Sequence, residues 1–443
     1  MRQLDIGGQV VDVDSDEWGR LRFGSASLQR LVVSRPYPAR DIDVALQDSS
    51  SHAVLHYRAL ESAHEETSFL LGSFTKVLTA TIICQLVDEG RIRLDDSASN
   101  FLTDFGFKDI TIRQLLSHTA GLADMFHLEK SADDVIAYIT RVARIAEAGA
   151  AFSYSNAGYV VLGRIIEQIC GTPWFSEVER RLLIPLDAQS VKLQDERSAD
   201  SKPTFVYSRQ DSSLVPGLFW PEVGPALDAA GGRLVGTARD AARLARAIIT
   251  GVHPTSEARI LSRSILREML KPHVVVPGAG LMASRWCLGW SLLTNLESST
   301  AVYGHQGGTS VLVGAVPKEG SAIAVLTNFS FGTRIAREII SAITSTALPQ
   351  PPPIRLIPDA SCLIGLEGTY SSETLSVTVY RDGDQLRITN PLGGAAVDLT
   401  WMQGRTFSAD LGELVSDVTF SVQRENRASA VHVALRQLQK VGD

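Results

Sequence analysis

The chain has 443 residues, 44% hydrophobic and 21% charged, with a formal net charge of −7 at pH 7. That length matches about three average domains and can bury a large core. An acidic balance with scattered arginines offers nothing to a polyphosphate backbone, which argues against nucleic acid as a partner.

The amino-terminal stretch "MRQLDIGGQVVDVDSDEWGRL" has no apolar run of signal-peptide length, and no run of about 18 apolar residues occurs anywhere. A cytoplasmic protein without a membrane partner is the expectation. Residues 41–59, "DIDVALQDSSSHAVLHYRA", are strand-like and hold His52 and His56. Apolar spacing predicts a helix over 73–89 that stops at Gly90, and another over 157–170 that ends at Gly171 with Pro173 beyond. Short helices and loops lie between. "TSVLVGAVPKEGSAIAVLTN" reads as two strands joined at Lys318 to Gly320, and an apolar-periodic helix follows from Arg334 to Ala347. Strands at both ends with helices between predict an α/β domain over 1–348, an antiparallel sheet flanked by helices with an all-helical insertion. The prolines of "LPQPPPIRLIP" then mark a semi-rigid linker at 349–358. Beyond it, Leu375, Val377 and Val379 alternate onto one face before a turn at Asp382 and Gly383. "VTFSVQ" and "AVHVAL" repeat the alternation across a polar turn. Residues 359–443 are therefore expected to form a small antiparallel β domain, a barrel or a sandwich.

Cys84, Cys170, Cys287 and Cys362 lie far apart with no C-x-x-C pair, so they read as buried free thiols. The nine histidines contain no H-E-x-x-H, and the chain lacks a G-x-S-x-G elbow. These absences count against a zinc enzyme and an α/β-hydrolase. No metal and no cofactor are expected.

One charged residue stands out. In "FLLGSFTKVLTA", Lys76 sits in the first turn of an apolar helix, with no opposite charge between Glu66 and Asp88. The positive end of the helix dipole and burial in apolar surroundings both disfavour its ammonium form, which makes it a better base. Ser73, three residues earlier, projects from the same face, and a hydroxyl beside such an amine can attack a carbonyl. Of eight lysines, only Lys76 has a serine three positions before it. "FSYSNAGYVVLGRII" places Tyr154 and Asn156 at the entry of a helix. "YGHQGGTSVLVG" places His305, Gly307 and Gly308 at or before a strand, where residues without side chains let a ligand approach backbone N–H groups.

Taken in order, S-x-x-K (Ser73, Lys76), Y-x-N (Tyr154, Asn156) and H-x-G (His305, Gly307) resemble the serine β-lactamase and penicillin-binding protein superfamily. The branch of class C β-lactamase-like esterases, peptidases and transacylases is the most similar. The likeness runs over residues 65–347 and includes "ITIRQLLSHTAGL", "AAGGRLVGTARDAARLARAI" and "CLGW". It implies that Ser73 is the acylated nucleophile and that Lys76 holds or accepts its proton. It also implies that Tyr154 shuttles protons and that Asn156 holds Lys76 and the substrate amide. The oxyanion hole would be the N–H groups of Ser73 and Gly308. The cleft would lie between the sheet and the helical part.

Two departures matter. His305 and Gln306 stand where lactamases and wall peptidases usually carry the lysine and threonine of K-T-G, and a neutral imidazole gives a weaker, pH-dependent anion site. The first sixty residues only loosely resemble the family's opening strand pair. Asp124, Met125 and Phe126, together with Phe219 and Trp220, are substrate-pocket candidates beside His305, Gln306 and Gly307. His118 reads as structural, and Arg334 as an exposed helix-start residue. The expected function is a serine acyl-enzyme hydrolase or acyltransferase on a small ester, amide or lactam. Its partner is a small acyl substrate, with an amine or alcohol acceptor as the transacylase alternative. A non-catalytic binder or sensor of the same fold is the rival from another class. A homo-oligomer stays open.

Overall fold

The structure is a computed structural model. It describes residues 2–6, 9–16, 20–23, 41–47, 52–58, 68–125, 132–142, 144–194, 206–210, 213–217, 224–253, 255–256, 258–308, 310–328, 332–344, 346–350, 363–372, 375–383, 385–391, 394–412, 415–422 and 427–442. Phe126, Phe219, Trp220 and Cys362 lie outside the described residues, as do 351–358 of the expected linker.

The largest sheet has eight antiparallel strands. In spatial order they are Val274–Val275, Arg285–Trp286, Ser291–Leu292, Tyr303–Gly307, Val311–Val316, Ser321–Thr327, Asp41–Gln47 and His52–Arg58. Asp41–Gln47 adds to Ser321–Thr327 through pairs such as Ala45 with Ala324, and His52–Arg58 closes that edge. The opening segment that resembled the family only loosely is thus a regular strand pair. Val311–Val316 and Ser321–Thr327 are buried at every residue, as strands covered on both faces must be. Helix Ala238–Thr250 shares the core of Val311, Val313 and Ala315. Gly314, pointing the other way, meets Ile340 of helix Gly332–Ile343.

Between these strands lies the helical part, with Thr75–Asp88, Ile112–Leu116, Ala132–Arg141, Asn156–Cys170 and Trp174–Val178. Thr75–Asp88 continues a tight turn at Gly72–Phe74 and is buried almost all round, including Lys76. A helix that is apolar on every side belongs inside a protein, which is why this segment carries so little charge. The sequence places the helix at 334–347; it begins two residues earlier and stops at Ile343.

The carboxy-terminal strands close into an eight-stranded barrel from Gly368–Ser371 to Arg436–Val441, with Tyr370 opposite Lys440 across the seam. This decides between barrel and sandwich. Tyr370, Val377, Val379, Ile388, Leu399, Phe407, Val418, Val431, Val433 and Leu438 form its core. Eight strands leave a bore that side chains can fill, so the interior is packing.

The barrel touches the rest of the chain at defined points. Asp417 accepts hydrogen bonds from the N–H groups of Ala279 (2.6 Å) and Leu281 (2.9 Å), and Arg334 pairs with Asp410. The turn between the last two strands, Ala434 and Leu435, has φ of 48° and 67°. Holding non-glycine residues there costs roughly 1 to 2 kcal/mol each. That turn is anchored: Tyr154 N–H donates to the Leu435 carbonyl (2.8 Å), and Gln437 N–H donates to Ser153 Oγ (3.1 Å). Among the described residues, no helix is long and apolar enough to cross a membrane.

Candidate active site

Backbone approach comes first. Gly72 and Ser73 lie against Gly231 and Gly307 so closely that a Cβ on Gly231 would meet Gly72 O at 2.5 Å and Ser73 N at 2.8 Å. A Cβ on Gly307 would meet Leu71 O at 2.2 Å. No side chain fits at either place, which explains the glycines of "AAGG" and "HQGG". The Gly308 nitrogen borders the same spot, 3.3 Å from where a Gly72 Cβ would stand.

Ser73 is partly exposed, whereas Lys76 is 0% exposed. Lys76 Nζ lies 3.1 Å from Ser73 Oγ and 2.6 Å from Asn156 Oδ1, and it also bonds the Ala230 carbonyl. The Asn156 amide is oriented by its Nδ2, which donates to Met125 O at 3.2 Å, so Oδ1 faces the lysine. Burial pulls the Lys76 pKa down to about 7, opposed by the Asp124 charge and reinforced by Arg436. A neutral amine has two N–H bonds and one lone pair. Asn156 Oδ1 and Ala230 O can only accept, and they take both hydrogens. The lone pair is left for the Ser73 hydroxyl.

Tyr154 packs beside this pair, with its ring centroid 4.9 Å from Lys76 Nζ and its hydroxyl hydrogen-bonded to Ser73. Burial holds the phenol above its ordinary range, and the Ser73 bond works in the other direction. The ring is gripped by His118 at 4.3 Å and by Trp286 at 5.5 Å between centroids. His118 Nδ1 accepts from Ser155 N–H, and burial keeps the imidazole neutral, well below its usual pKa. The residue read as structural therefore forms the wall behind Tyr154.

The other candidates separate. His305 is 1% exposed, its Nδ1 donates to Gln306 O at 2.9 Å, and Nε2 has no hydrogen-bond partner among the described residues. Burial, then the Lys76 charge, push its pKa down to about 3. The weak anion site expected there is thus a buried neutral ring facing Tyr154 and Trp286. Gln306 is partly exposed beside it. Asp124 is buried and its oxygens are taken by protein donors: Oδ1 by the N–H groups of Asn156 (2.6 Å) and Met125 (2.8 Å), Oδ2 by Arg436 Nε (2.6 Å). Met125 is buried in the main core. Sequence reasoning missed Arg436, Leu435, Trp286 and the Ala230 carbonyl. Only the last carried a signal, inside "AAGG"; Trp286 stands one residue before "CLGW".

The beta-lactamase family profile matches residues 43–348. The chain belongs to the beta-lactamase family. It is 31% identical to penicillin-binding protein 4 of Amycolatopsis lactamdurans over 363 residues, 75% of this chain and 91% of that protein. Among solved structures it is similar to SurE (TM-score 0.72, 24% identity, 94% of this chain and 98% of that one), a likeness of fold that takes in the barrel. It is also similar to EstCE1, described as a hydrolase with promiscuous acyltransferase activity (TM-score 0.61, 20% identity), over 72% of this chain and 97% of that one. Membership of this family supports serine acyl-transfer chemistry in general.

Proposed function

We propose that the protein moves an acyl group from a small ester, amide or lactam onto Ser73 and then to water, or to an amine or alcohol. One observation carries this reading: the buried Lys76 Nζ touches Ser73 Oγ, Asn156 Oδ1 and the Ala230 carbonyl, so in its neutral form the two carbonyl acceptors take its hydrogens and its lone pair falls to the serine. A structural lysine has no need of that arrangement.

In acylation, Ser73 Oγ bonds to the substrate carbonyl carbon as its proton passes to Lys76 Nζ, and the carbonyl π pair moves onto oxygen. The N–H groups of Ser73 and Gly308 receive that oxyanion. When it collapses, the bond to the leaving group breaks, and the leaving group departs with the proton returned through Lys76 and Tyr154. In the second half, the acceptor gives its proton to the same pair, attacks the ester and restores the Ser73 hydroxyl. Asn156 fixes Lys76 throughout. Residues 1–348 form the catalytic unit in this reading, with 349–358 as linker and 359–443 as the barrel unit.

A buried neutral His305 supplies no cation for a substrate carboxylate, which weighs against β-lactams and cell-wall peptides as main substrates. Simple esters and amides need no such cation. The names of the similar proteins keep both penicillins and acyl acceptors among the compounds to try.

The test is intact-protein mass after treatment with a fluorophosphonate, a penicillin or an activated ester. A single adduct on the parent, absent from Ser73→Ala, is expected, with ester turnover in that variant down by about 10³-fold or more. No adduct with any reagent, and equal turnover by Ser73→Ala, would defeat the proposal. Adding amines and alcohols to the ester reaction separates hydrolysis from transfer by its products.

A further inference from the structure

Beside the backbone contacts of its last turn, the barrel sends one arginine side chain into the catalytic cluster. Arg436 follows the Ala434–Leu435 turn, and its Nε donates to Asp124 Oδ2 at 2.6 Å, with side chains 15% and 3% exposed. Its guanidinium carbon stands 5.1 Å from the Tyr154 ring centroid. Asp124 in turn holds the Asn156 N–H, and Asn156 holds Lys76. A continuous chain of contacts runs from the barrel to the nucleophile. Leu435 packs with Phe152, Tyr154 and Trp286, so the hairpin is seated rather than grazing. The barrel's own interior is filled, which leaves this docking as its contribution to the site.

We infer that Arg436 is a positioning residue of the acylation machinery. It offsets the Asp124 charge and holds the Asp124–Asn156 pair in register with Lys76.

The electrostatic logic follows from the groups around Lys76. Facing it are Ser73 on its own segment, Tyr154 and Tyr159, the neutral His118 and His305, the Ala230 carbonyl, Asp124, and Arg436 from the barrel. Asp124 is the anion of that group and Arg436 the cation. With Asp124 alone, the ammonium form of Lys76 gains an uncompensated partner and the free base becomes scarcer near neutral pH. Arg436 removes that bias without touching Lys76. Arg is suited to the task because it stays charged when buried and can lie over an aromatic face.

This inference rests on Ser73 being the nucleophile, and the experiment keeps the two apart. Fluorophosphonate labelling of Ser73 is timed between pH 5.5 and 10 for the parent, Arg436→Met, Arg436→Lys and the double variant Asp124→Asn with Arg436→Met. The acid limb of the parent should fall near pH 7. In Arg436→Met it should move up by about one pH unit, with the high-pH plateau kept within about threefold. Arg436→Lys should stay with the parent, and the double variant should return most of the way, because the lone anion has gone. Should Arg436→Met lose its fold by near-ultraviolet circular dichroism, Arg436→Gln keeps a donor for Asp124 without the charge and reads the same shift. A limb that does not move, or a uniform loss at every pH, overturns the inference. A parent that is never labelled overturns the proposed function instead.

Discussion

Asn156 accepts a 2.6 Å hydrogen bond from Lys76 through its side chain while its backbone N–H donates to Asp124 at the same distance. One residue at the first position of a helix thus joins the amine to the carboxylate that answers to the barrel. The consequences of this wiring can be measured.

The first concerns stability. Folded Lys76 titrates near 7 and an unfolded lysine near 10.4, so between those values the unfolded chain binds one proton more. Stability must then rise with pH across that window, and the cost of burying the amine is full below it. Urea unfolding of the parent at pH 7 and pH 9.5, set against Lys76→Met, isolates the effect. The parent should gain about 3 kcal/mol on the variant between the two pH values. Parallel behaviour would mean that Lys76 is buried as an ammonium ion.

A second prediction separates the phenol's chemistry from its packing. Tyr154→Phe keeps the ring held between His118 and Trp286 and deletes the hydroxyl that meets Ser73. Acylation should fall by about 10²-fold, the usual scale for losing a proton-transfer group. Unfolding free energy should change by only about 1 kcal/mol, as one net hydrogen bond is lost. Stopped-flow labelling and denaturant unfolding give the two numbers.

The third prediction is steric. Gly307→Ala drives a methyl group into Leu71 O, one residue before the Gly72–Ser73 turn. The turn has to move, at a cost of roughly 1 to 3 kcal/mol. Labelling should drop about tenfold or more at every pH, unlike the shifted limb expected for Arg436→Met. Gly158→Ala, whose new Cβ meets nothing nearer than 3.5 Å inside a helix, is the matched control. By helix propensity it should leave stability equal or slightly raised. Thermal unfolding of both variants checks the contrast.

Much of this could be read from the chain itself. The pairing of Ser73 with Lys76 is local, three residues on one helical face, and the alternating tail could hardly be anything but antiparallel strands. Tyr154 and Asn156 became legible through the motif order. What stayed hidden depended on contacts remote in sequence. Arg436 lies 312 residues from Asp124, and nothing around an arginine at the start of the last barrel strand announces its partner. His305 looked like an open anion site because a motif gives residue type and order but not burial; here an aromatic wall encloses it. The strand at 41–47 read weakly because its partner Ser321–Thr327 arrives from the far end of the domain, and 52–58 in turn pairs with 41–47.

The tethering of Lys76 has one more effect. In the proposed reaction an amine with a pKa near 7, set beside an ester on Ser73, is in its free-base form primed to steal the acyl group and become a permanent amide. Two oxygens on its far side, Asn156 Oδ1 and Ala230 O, hold Nζ back by both of its hydrogens, and none of the side chain is open to solvent. At that anchorage Nζ stands 3.1 Å from the serine oxygen, within reach of its proton, and leaving for an acyl carbon would break both bonds. In the proposed reaction the two bonds that would free the Lys76 lone pair for Ser73 would also guard the acyl intermediate, so repeated turnover need not end in self-inactivation.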